Sequence, residues 1–494
     1  MRTATATVIR PKTLFDRADA WEALVAFAGD ARPGPAVGMV TGPRGQGKTH
    51  LLQEIVRATG GFYFGGPEAV EAESLRRLSE ELAHHAGEGP PVRRQGWGEA
   101  LDALLALGAD RPVPIVLDGF PELVRQSPAL PAAVVAACHR LRSGNRSNRA
   151  RLLLCGSAMS VMRRLLGSAS TAIDFQLEVR RLDHRQGALL WGLDDPGLAL
   201  LVHAVVGSSP VFRYDAAGED RPVHRDEFDS WVCRTVLNPR LPLFWRAGHL
   251  IEREPDGWDR ALCHSTVTAV ADGCSTTGAI ADRLARPATD VLRVLTRLSE
   301  SGLVAGLPDA FRPGVTHHRI AEPLLAFDHT VIRPHHDALE RREAAEVWRS
   351  ARAAFHSSTL ERHFAQVCRE WAFGFAAPDT FGAVPAAVSP GTVPVARGLG
   401  PSVADVVVRG AAGAAHGRRQ ALLSVGLARW TETLDLPHLH EVQRIVAALA
   451  ELGEDVSRTR PALYGAAGFS ARLRSAEAHG ELILVDLPRL YVGA

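Results

Sequence analysis

The sequence predicts an α/β protein whose largest domain is built on a parallel sheet. Three apolar runs typical of buried strands occupy residues 36–41, 113–117 and 151–155. Segments with the apolar spacing of helices separate these runs, and this alternation is typical of a parallel sheet with functional residues at the carboxyl ends of its strands. The runs lead into Gly42, Asp118 and Ser157, so these positions are the first candidates for a site.

Length and composition limit the architecture. The chain has 494 residues, which at roughly 150 residues per domain predicts about three domains. Hydrophobic residues make up 46% and charged residues 22%, with a mean hydropathy of −0.02, so packed cores are expected and a largely disordered chain is excluded. The 56 Lys and Arg balance 55 Asp and Glu, and the net charge of +1 excludes a nucleic-acid coat protein or a polybasic membrane binder.

The sequence contains no recognisable targeting or membrane segment. Its first residues lack the apolar core of a signal peptide, and no apolar run long enough to span a membrane follows. The six cysteines are scattered without a CxxC pair, so we expect buried free thiols and neither zinc ligands nor disulfides. A cytoplasmic protein without membrane contact is therefore expected.

The order of segments predicts five regions. Residues 183–250 look helical and polar, and three helical segments with a hairpin then follow in the winged-helix order. A Gly/Pro-rich stretch at 381–401 precedes two strand-like segments, a helix and a last strand, which suggest a small mixed domain. The predicted boundaries are 1–182 for the parallel-sheet core, 183–250 for the helical region, 251–325 for the winged helix, 326–355 for a helical linker and 356–494 for the C-terminal domain.

Residues 42–49 read GPRGQGKT and match the phosphate loop GxxxxGK[ST], placed between a strand and a helix. Glycines let backbone N–H groups curl around phosphates, Lys48 reaches the β and γ oxygens, and Thr49 offers its hydroxyl to Mg²⁺. Lys48 is one of only two lysines in the chain. The motif predicts ATP and Mg²⁺ as cofactors, with nucleotide contacts from Gly42, Pro43, Arg44, Gly45, Gln46, Gly47, Lys48, Thr49 and His50.

Asp118, at the end of the second apolar run, is the predicted acid on the magnesium side. We expect it opposite Thr49 on the neighbouring strand, so that these two residues form the metal site. Many hydrolytic ATPases hold a water-activating glutamate at the next position, which is Gly119 in this chain. Glu122 is the nearest replacement base, with a solvated glutamate at a helix start as the alternative.

The order of these motifs resembles the archaeal-type P-loop ATPases of the AAA+/STAND group. Phe15, Asp16 and Arg17 echo a Phe-x-x-Arg-like box that precedes the phosphate loop in that family. The DGxxE spacing of Asp118, Gly119 and Glu122 is similar to the NACHT branch of STAND proteins. The resemblance covers nearly the whole chain and implies a P-loop ATPase core, a helical lid, a winged helix and a restriction-endonuclease-like C-terminal domain.

Two further segments match that family. The sensor strand of the family ends in Gly-Ser before a methionine-bearing helix, and the segment CGSAMSVMRRLL at 155–166 is similar. The resemblance therefore implies that Ser157 is a polar sensor near the γ-phosphate. The family's lid carries a Gly-x-x-Pro turn, which Gly207 to Pro210 resemble, so Pro210 is expected to contact nucleotide.

The chain departs from the family where an arginine is usual. Family members carry one in a Tyr-Gly-Arg turn after the sensor helix, and this chain offers Ala172 there. Arg163 and Arg164 are candidate substitutes, with a solvated helix face as the alternative. We therefore expect slow ATP turnover, because no residue is an obvious arginine finger.

The C-terminal domain also departs from the family. Endonuclease-like folds cut phosphodiesters with acids on two adjacent strands and a lysine that orients water. Asp405 fits the first acid, but Leu427 and Arg429 replace the second acid and the lysine. The upstream helix reads Phe364, Ala365 where the family has Phe-Glu. Because leucine cannot bind magnesium, we expect the domain to be catalytically inactive and Asp405 to be structural.

The predicted winged helix carries a modest basic face. Its candidate cationic residues are Arg293, Arg297, Arg312, His317, His318 and Arg319. DNA contact and simple packing between domains both remain open.

These observations favour an ATP-binding switch of the STAND/AAA type. We expect slow hydrolysis, a C-terminal scaffold, ATP or ADP as ligand, and a protein partner or homo-oligomer. The alternatives are an ATP-regulated DNA-processing nuclease and a winged-helix DNA-binding regulator.

Overall fold

A computed structural model describes residues 8–87, 90–144, 147–157, 159–166, 173–252, 259–393, 402–412 and 420–493. The chain forms two compact units, Met1–Arg181 and Leu182–Ala494. Among the described residues, no single helix is long and apolar enough to cross a membrane, although helices His184–Trp191 and Pro196–Val206, bent by 97°, together have the length and composition of such a span.

The first unit is built on a five-stranded parallel sheet in the order β2-β3-β4-β1-β5. Its strands are β1 (Ala36–Thr41), β2 (Phe62–Gly65), β3 (Val113–Asp118), β4 (Ala150–Cys155) and β5 (Phe175–Glu178). The predicted α/β fold with a parallel sheet is confirmed. Strands β2 and β5 have four residues each and were not predicted, because such short runs show no clear periodicity.

Seven helices cover the two faces of this sheet in the described part of the unit. They are α1 (Ala18–Ala28), α2 (Lys48–Thr59), α3 (Glu71–Ala86), α4 (Trp97–Ala106), α5 (Phe120–Gln126), α6 (Leu130–Gly144) and α7 (Met159–Leu166). Alternate strand residues enter separate cores: Leu152 and Leu154 pack with α3, α4 and α6, whereas Leu153 packs with α1 and α2. Burial on both faces explains why β1, β3 and β4 are almost wholly apolar.

The second unit begins with helices. These are α8 (His184–Trp191), α9 (Pro196–Val206), α10 (Phe228–Trp231) and α11 (Pro242–Glu252), with π-helical turns at Phe212–Ala216 and Val232–Val236 and a 3₁₀ turn at Arg225–Glu227. Asp183 and Asp195 cap α8 and α9 through their side chains, as acidic N-caps do. The description of this region as polar is wrong for α9, which is apolar and buried along most of its length because it forms part of a core.

Three helices and an antiparallel hairpin follow in the winged-helix order. They are α12 (Arg260–Ala271), α13 (Thr277–Leu284), α14 (Ala288–Glu300), β6 (Val304–Pro308) and β7 (Thr316–Ile320). Val267, Ile280 and Leu295 contribute to their shared core. A run of helices then leads to the last domain: α15 (Pro323–Phe327), α16 (His336–Glu340), α17 (Ala344–Ala354), α18 (Glu361–Gly374) and α19 (Pro378–Phe381), with π-helical turns at Asp328–Ile332 and Phe355–Leu360 and a 3₁₀ turn at Arg333–His335.

The last domain holds a mixed five-stranded sheet in the order β12-β11-β10-β9-β8. Its elements are β8 (Pro385–Val393), β9 (Ser402–Ala412), β10 (Gln420–Arg429), α20 (Leu436–Glu451), β11 (Arg460–Gly465), α21 (Ala471–Ala478), β12 (Ile483–Val485) and α22 (Leu487–Tyr491). Part of the Gly/Pro-rich stretch is strand β8. Its Pro390 lies at a register shift between Ser389 and Gly391, where a missing backbone N–H is tolerated. Residues 394–401 lie outside the described residues.

Candidate functional site

The phosphate loop connects β1 to α2 and requires glycine at three positions. Gly42, Gly45 and Gly47 have φ values of 143°, 77° and 82°. A Cβ atom on Gly42 would overlap the carbonyl oxygen of Val179, whereas a Cβ on Gly47 would meet nothing within 4 Å. The loop therefore adopts a backbone that L side chains avoid and leaves open space at the start of α2, where helix N–H groups favour an anion.

Lys48 lies over this loop. Its Nζ atom donates to the carbonyl oxygens of Gly42 and Pro43 at 2.7 and 2.8 Å. Burial lowers the pKa of Lys48, while Asp118 nearby raises it. Phosphate oxygens would be stronger acceptors for this partly desolvated ammonium than the two neutral carbonyls.

Thr49 and Asp118, the two predicted metal ligands, are brought together. The Thr49 hydroxyl donates to Asp118 Oδ2 at 2.6 Å, and the backbone N–H of Gly119 donates to Oδ1 at 2.9 Å. Asp118 is only 9% exposed. A hydroxyl and a carboxylate are the hard oxygen ligands that Mg²⁺ prefers, so these residues fit the ion.

The expected strand arrangement around this pair is wrong in one respect. Strand β4 lies between β1 and β3, so Asp118 is not on the strand next to the phosphate loop. The first turn of α2 carries Thr49 across to the end of β3 instead. The carboxyl ends of all five strands share one edge of the sheet, which still brings Ser157, at the end of β4, beside the loop. Its carbonyl oxygen accepts from the N–H of Gly42 at 3.2 Å.

Gly119 has a structural reason to be glycine. Its φ of 70° is left-handed, and a Cβ there would lie 3.3 Å from the carbonyl oxygen of Gly66. A glutamate at this position would strain the turn between β3 and α5.

Glu122 does not extend into open solvent. Its Oε1 lies 3.3 Å from Nη2 of Arg44, the third residue of the phosphate loop, and its side chain is 20% exposed. This ion pair places the carboxylate at the loop, which disfavours the interpretation of Glu122 as a solvated helix-start residue. Its role as a base stays a prediction.

Tyr63 is a residue of the site that no sequence pattern indicated. Its hydroxyl donates to Asp118 Oδ2 at 2.9 Å, from strand β2 next to β3. Burial and the neighbouring Asp118 both raise the pKa of Tyr63, so the hydroxyl remains a donor at neutral pH. A single tyrosine in a four-residue strand belongs to no motif, and only the strand pairing reveals this contact.

Arg17, from the segment Phe15 to Arg17 that precedes the phosphate loop, also contacts this loop. Arg17 donates from Nη2 to the carbonyl oxygen of Gln46 at 3.1 Å, and burial lowers the pKa of Arg17. The Gln46 side chain is 1% exposed, and its amide atoms have no hydrogen-bond partner within the described residues. His50 is half-buried in the first turn of α2.

The two candidate arginines, Arg163 and Arg164, lie on α7. Arg163 is exposed and donates from Nη2 to Gln176 Oε1 of β5 at 2.9 Å, and Arg164 is exposed as well. Ala172 lies outside the described residues. Neither arginine is thereby assigned to a nucleotide, and their role as fingers stays a prediction.

The predicted lid turn lies in the second unit. Gly207 has a φ of 64°, and its carbonyl oxygen accepts from Trp191 Nε1 at 3.2 Å. The Ser208 hydroxyl donates to the carbonyl oxygen of Leu182. These bonds fix the turn against α8, and Pro210 begins the helical segment that follows. Contact between Pro210 and nucleotide stays a prediction.

The wing is the turn between β6 and β7, and it packs on the C-terminal sheet. The N–H of Ala310 donates to the carbonyl oxygen of Pro390 at 2.9 Å, and Arg409 Nη2 donates to the carbonyl oxygen of Ala310 at 3.0 Å. Asp309 Oδ2 also accepts from the N–H of Thr392 at 3.1 Å. These bonds link the hairpin to both β8 and β9.

Most of the wing's predicted cationic residues are engaged within the unit. His317 contacts Asp309 at 2.8 Å, His318 bonds to Thr277 at 3.1 Å, and Arg319 lies 3.6 Å from Glu370. Arg312 is exposed, as is Arg293 on α14. The wing therefore packs against the C-terminal sheet, while DNA contact through α14 stays a prediction.

Asp405 of the C-terminal domain faces an arginine. Its Oδ2 accepts from Arg429 Nη1 at 2.9 Å and from the N–H of Ala428 at 3.0 Å. Leu427 is fully buried in the core of the domain. The guanidinium thus neutralises the Asp405 carboxylate.

Helix α18 carries an acid, Glu361, that contacts the residue following β10. Phe364 is buried in α18, but Glu361 lies one turn earlier and its Oε2 accepts from the N–H of Trp430 at 2.9 Å. Burial raises the pKa of Glu361, and Asp405 raises it further. The position at which the resembled family carries an acid is still Ala365, and Glu361 lies one helical turn before it.

The strand order and the glycine loop between β1 and α2 define a P-loop α/β fold in the first unit. The second unit consists of helices, a hairpin and a mixed β-sheet. No protein-family model matches the chain, and no curated protein matches it.

Solved structures of low similarity include the ORC2 protein of Aeropyrum pernix in ADPNP and ADP complexes, at 18% identity and a TM-score of 0.43 over 70% of this chain and 97% of that one. Others are Cdc6p of Pyrobaculum aerophilum, at 15% identity and a TM-score of 0.34 over 69% and 96%, and Drosophila ORC bound to DNA, at 16% and 0.32 over 65% and 87%. At such low scores these similarities say nothing about what this chain binds.

Proposed function

We propose that the first unit binds ATP with Mg²⁺ and that the protein is a nucleotide-dependent switch of the AAA+/STAND type. The observation that carries this proposal is the meeting of Thr49 and Asp118 beside a loop whose glycines and Lys48 are arranged for phosphate. Loop N–H groups and Lys48 bind the phosphates, and Thr49 and Asp118 hold the ion. Bound Mg²⁺ would neutralise phosphate charge.

Binding and release of ATP are tested directly on the full chain. We expect ATP to bind more tightly with Mg²⁺ than with EDTA, and phosphate release to be slower than the ~1 to 100 s⁻¹ of efficient phosphoryl-transfer enzymes. If the switch does not use DNA, adding DNA should change neither the ATP affinity nor the rate of phosphate release. Absence of ATP binding in both conditions would contradict the proposal.

Slow hydrolysis follows from the groups around the loop. Gly119 leaves no acid directly after Asp118, and Glu122 is paired with Arg44. Ser157, beside the loop, is proposed as the polar sensor, and Pro210 as the lid residue that responds to nucleotide. The switch would act on a protein partner or a second copy of the chain.

Glu122→Gln is expected to slow phosphate release by at least about tenfold, because it removes the only carboxylate that we propose as a base. ATP affinity should change little, since the amide still fills the site beside Arg44. Steady-state phosphate release at saturating ATP measures the effect. The matched control is Glu80→Gln, because Glu80 is exposed and is also paired with an arginine, Arg76. Equal rates in the parent and Glu122→Gln would remove Glu122 from the mechanism.

We propose that the C-terminal domain is a scaffold without nuclease activity, because Arg429 already pairs with Oδ2 of Asp405. Arginine is protonated at all relevant pH values, and its charge opposes cation binding. The expected result is no Mg²⁺- or Mn²⁺-dependent cleavage of single- or double-stranded DNA above that of Asp405→Ala. Cleavage that disappears in Asp405→Ala would instead support an ATP-regulated DNA-processing nuclease.

A winged-helix DNA-binding regulator is the second candidate. The exposed Arg293 favours it, although this residue lies 3.4 Å from Asp290 and the wing is packed on the C-terminal sheet. Salt-dependent DNA binding that Arg293→Ala weakens would support it.

A further inference from the structure

Tyr63 contacts the proposed magnesium site without being part of it. Its hydroxyl donates to Asp118 Oδ2 at 2.9 Å, the same oxygen that accepts from Thr49 at 2.6 Å. The other carboxylate oxygen accepts from the N–H of Gly119 at 2.9 Å. Three donors therefore fix both the position and the rotation of the Asp118 carboxylate.

Two independent features hold Tyr63 in place. Strand β2 is paired in register with β3, with Gly65 opposite Asp118 and Tyr63 opposite Val116. The tyrosine ring packs against the core that includes Val116 and Leu52. The orientation of the hydroxyl is thus set by the sheet and does not depend on the phosphate loop.

Helix α2 also reaches Tyr63. The side chain of Gln53 lies near the Tyr63 hydroxyl, where it opposes the increase in the pKa of Tyr63 that burial causes, and Gln53 lies one helical turn after Thr49. Helix α2 therefore contacts Asp118 directly through Thr49 and comes near Tyr63 through Gln53. The two contacts differ in an important way, because Thr49 is itself a proposed metal ligand and Tyr63 is not.

We propose that Tyr63 is a positioning residue for the divalent cation: it holds Asp118 so that the carboxylate faces the ion when the Thr49 oxygen turns to the same ion. This inference rests on the proposed function. When a cation draws the Thr49 oxygen, Tyr63 and the Gly119 N–H are the donors that keep Asp118 oriented. A carboxylate without the tyrosine would rotate more freely and pay a larger ordering cost on metal binding.

The test is Tyr63→Phe in the full chain, which removes one oxygen and keeps the ring. A fluorescent ATP analogue is titrated at a series of free Mg²⁺ concentrations and in EDTA. We expect the Mg²⁺ concentration for half-maximal tightening to rise roughly tenfold, in keeping with the loss of one hydrogen bond to a charged group, while affinity in EDTA stays at the parent value. Tyr214→Phe is the matched control, because Tyr214 is 55% exposed in the other unit.

Each other outcome overturns the inference in a distinguishable way. A parent chain that binds no nucleotide refutes the proposed function itself. A parent with Mg²⁺-dependent binding and a Tyr63→Phe variant with the same Mg²⁺ requirement refutes only the role of Tyr63. Equal losses in EDTA and in Mg²⁺ would show that Tyr63 supports the loop as a whole and does not position the cation ligand.

Gln53→Ala provides a second variant that a folding defect in Tyr63→Phe would not affect, since Gln53 is exposed on α2. It removes a polar neighbour of the tyrosine hydroxyl and leaves Tyr63, Thr49 and Asp118 intact. We expect a smaller increase in the Mg²⁺ requirement, again with unchanged affinity in EDTA. An unchanged Mg²⁺ requirement in this variant would contradict a contribution of Gln53 to the orientation of the Tyr63 hydroxyl.

Discussion

Lys48→Ala is expected to abolish tight ATP binding while the chain stays folded. The ammonium is half-buried and bonds to two loop carbonyls, at 2.7 and 2.8 Å, in the place where phosphate oxygens would accept. Charge-assisted hydrogen bonds contribute about 1.5 to 3 kcal/mol each, so losing two of them should weaken ATP binding roughly 100-fold or more. Equilibrium titration of a fluorescent ATP analogue measures the loss.

The fold should survive this change, because Lys48 belongs to neither of the two apolar cores of the first unit. Removing a partly desolvated charge also relieves the penalty that lowers its pKa. The thermal unfolding midpoint should therefore stay close to that of the parent.

Lys12→Ala is the matched control, since Lys12 is the chain's other lysine and is exposed. It removes the same charge from the chain and should leave ATP affinity unchanged. Equal ATP affinity in Lys48→Ala and the parent would contradict the assignment of the phosphate loop.

Gly42→Ala is expected to destabilise the first unit by about 3 kcal/mol or more and to abolish ATP binding. The added Cβ would overlap the carbonyl oxygen of Val179 and lie 3.0 Å from its carbonyl carbon, and the φ of 143° at Gly42 is unfavourable for any L side chain. The obstructing atoms are backbone at the end of β5, so a rotamer change cannot relieve the clash. The urea unfolding midpoint and ATP affinity measure the two effects.

Gly98→Ala is the control for this substitution. Gly98 lies exposed in α4, and a Cβ there would meet nothing within 4 Å. Alanine is favoured over glycine in helices, so this variant should be as stable as the parent or slightly more stable. A Gly42→Ala protein with the parent's midpoint and affinity would show that the loop does not adopt the conformation described.

Much of the site was predictable because its signals are local. The phosphate loop, its lysine and its threonine lie within eight consecutive residues, and the loop's conformation requires glycines that are visible in the sequence. Strands β1, β3 and β4 are buried on both faces and therefore appear as continuous apolar runs. Asp118 could be placed because it ends such a run.

Other residues of the site were not predictable because their contacts depend on strand order. Tyr63 meets Asp118, 55 residues away, only because β2 pairs with β3. No local pattern distinguishes Tyr63 from an ordinary core aromatic residue. The insertion of β4 between β1 and β3 is likewise a property of the assembled sheet, which is why the expected neighbouring strand was wrong.

The sequence by itself determined the α/β class and the phosphate loop, since both depend on residue identity at adjacent positions. Only the tertiary structure decided that Arg44 pairs with Glu122, that Arg429 neutralises Asp405 and that the wing packs on β8 and β9. Each of these contacts joins charged or polar groups that water would also solvate well if they were apart, so the contact itself contributes little free energy. Their partners are therefore selected by the packing of the apolar cores, which brings distant segments together, and not by any periodicity along the chain.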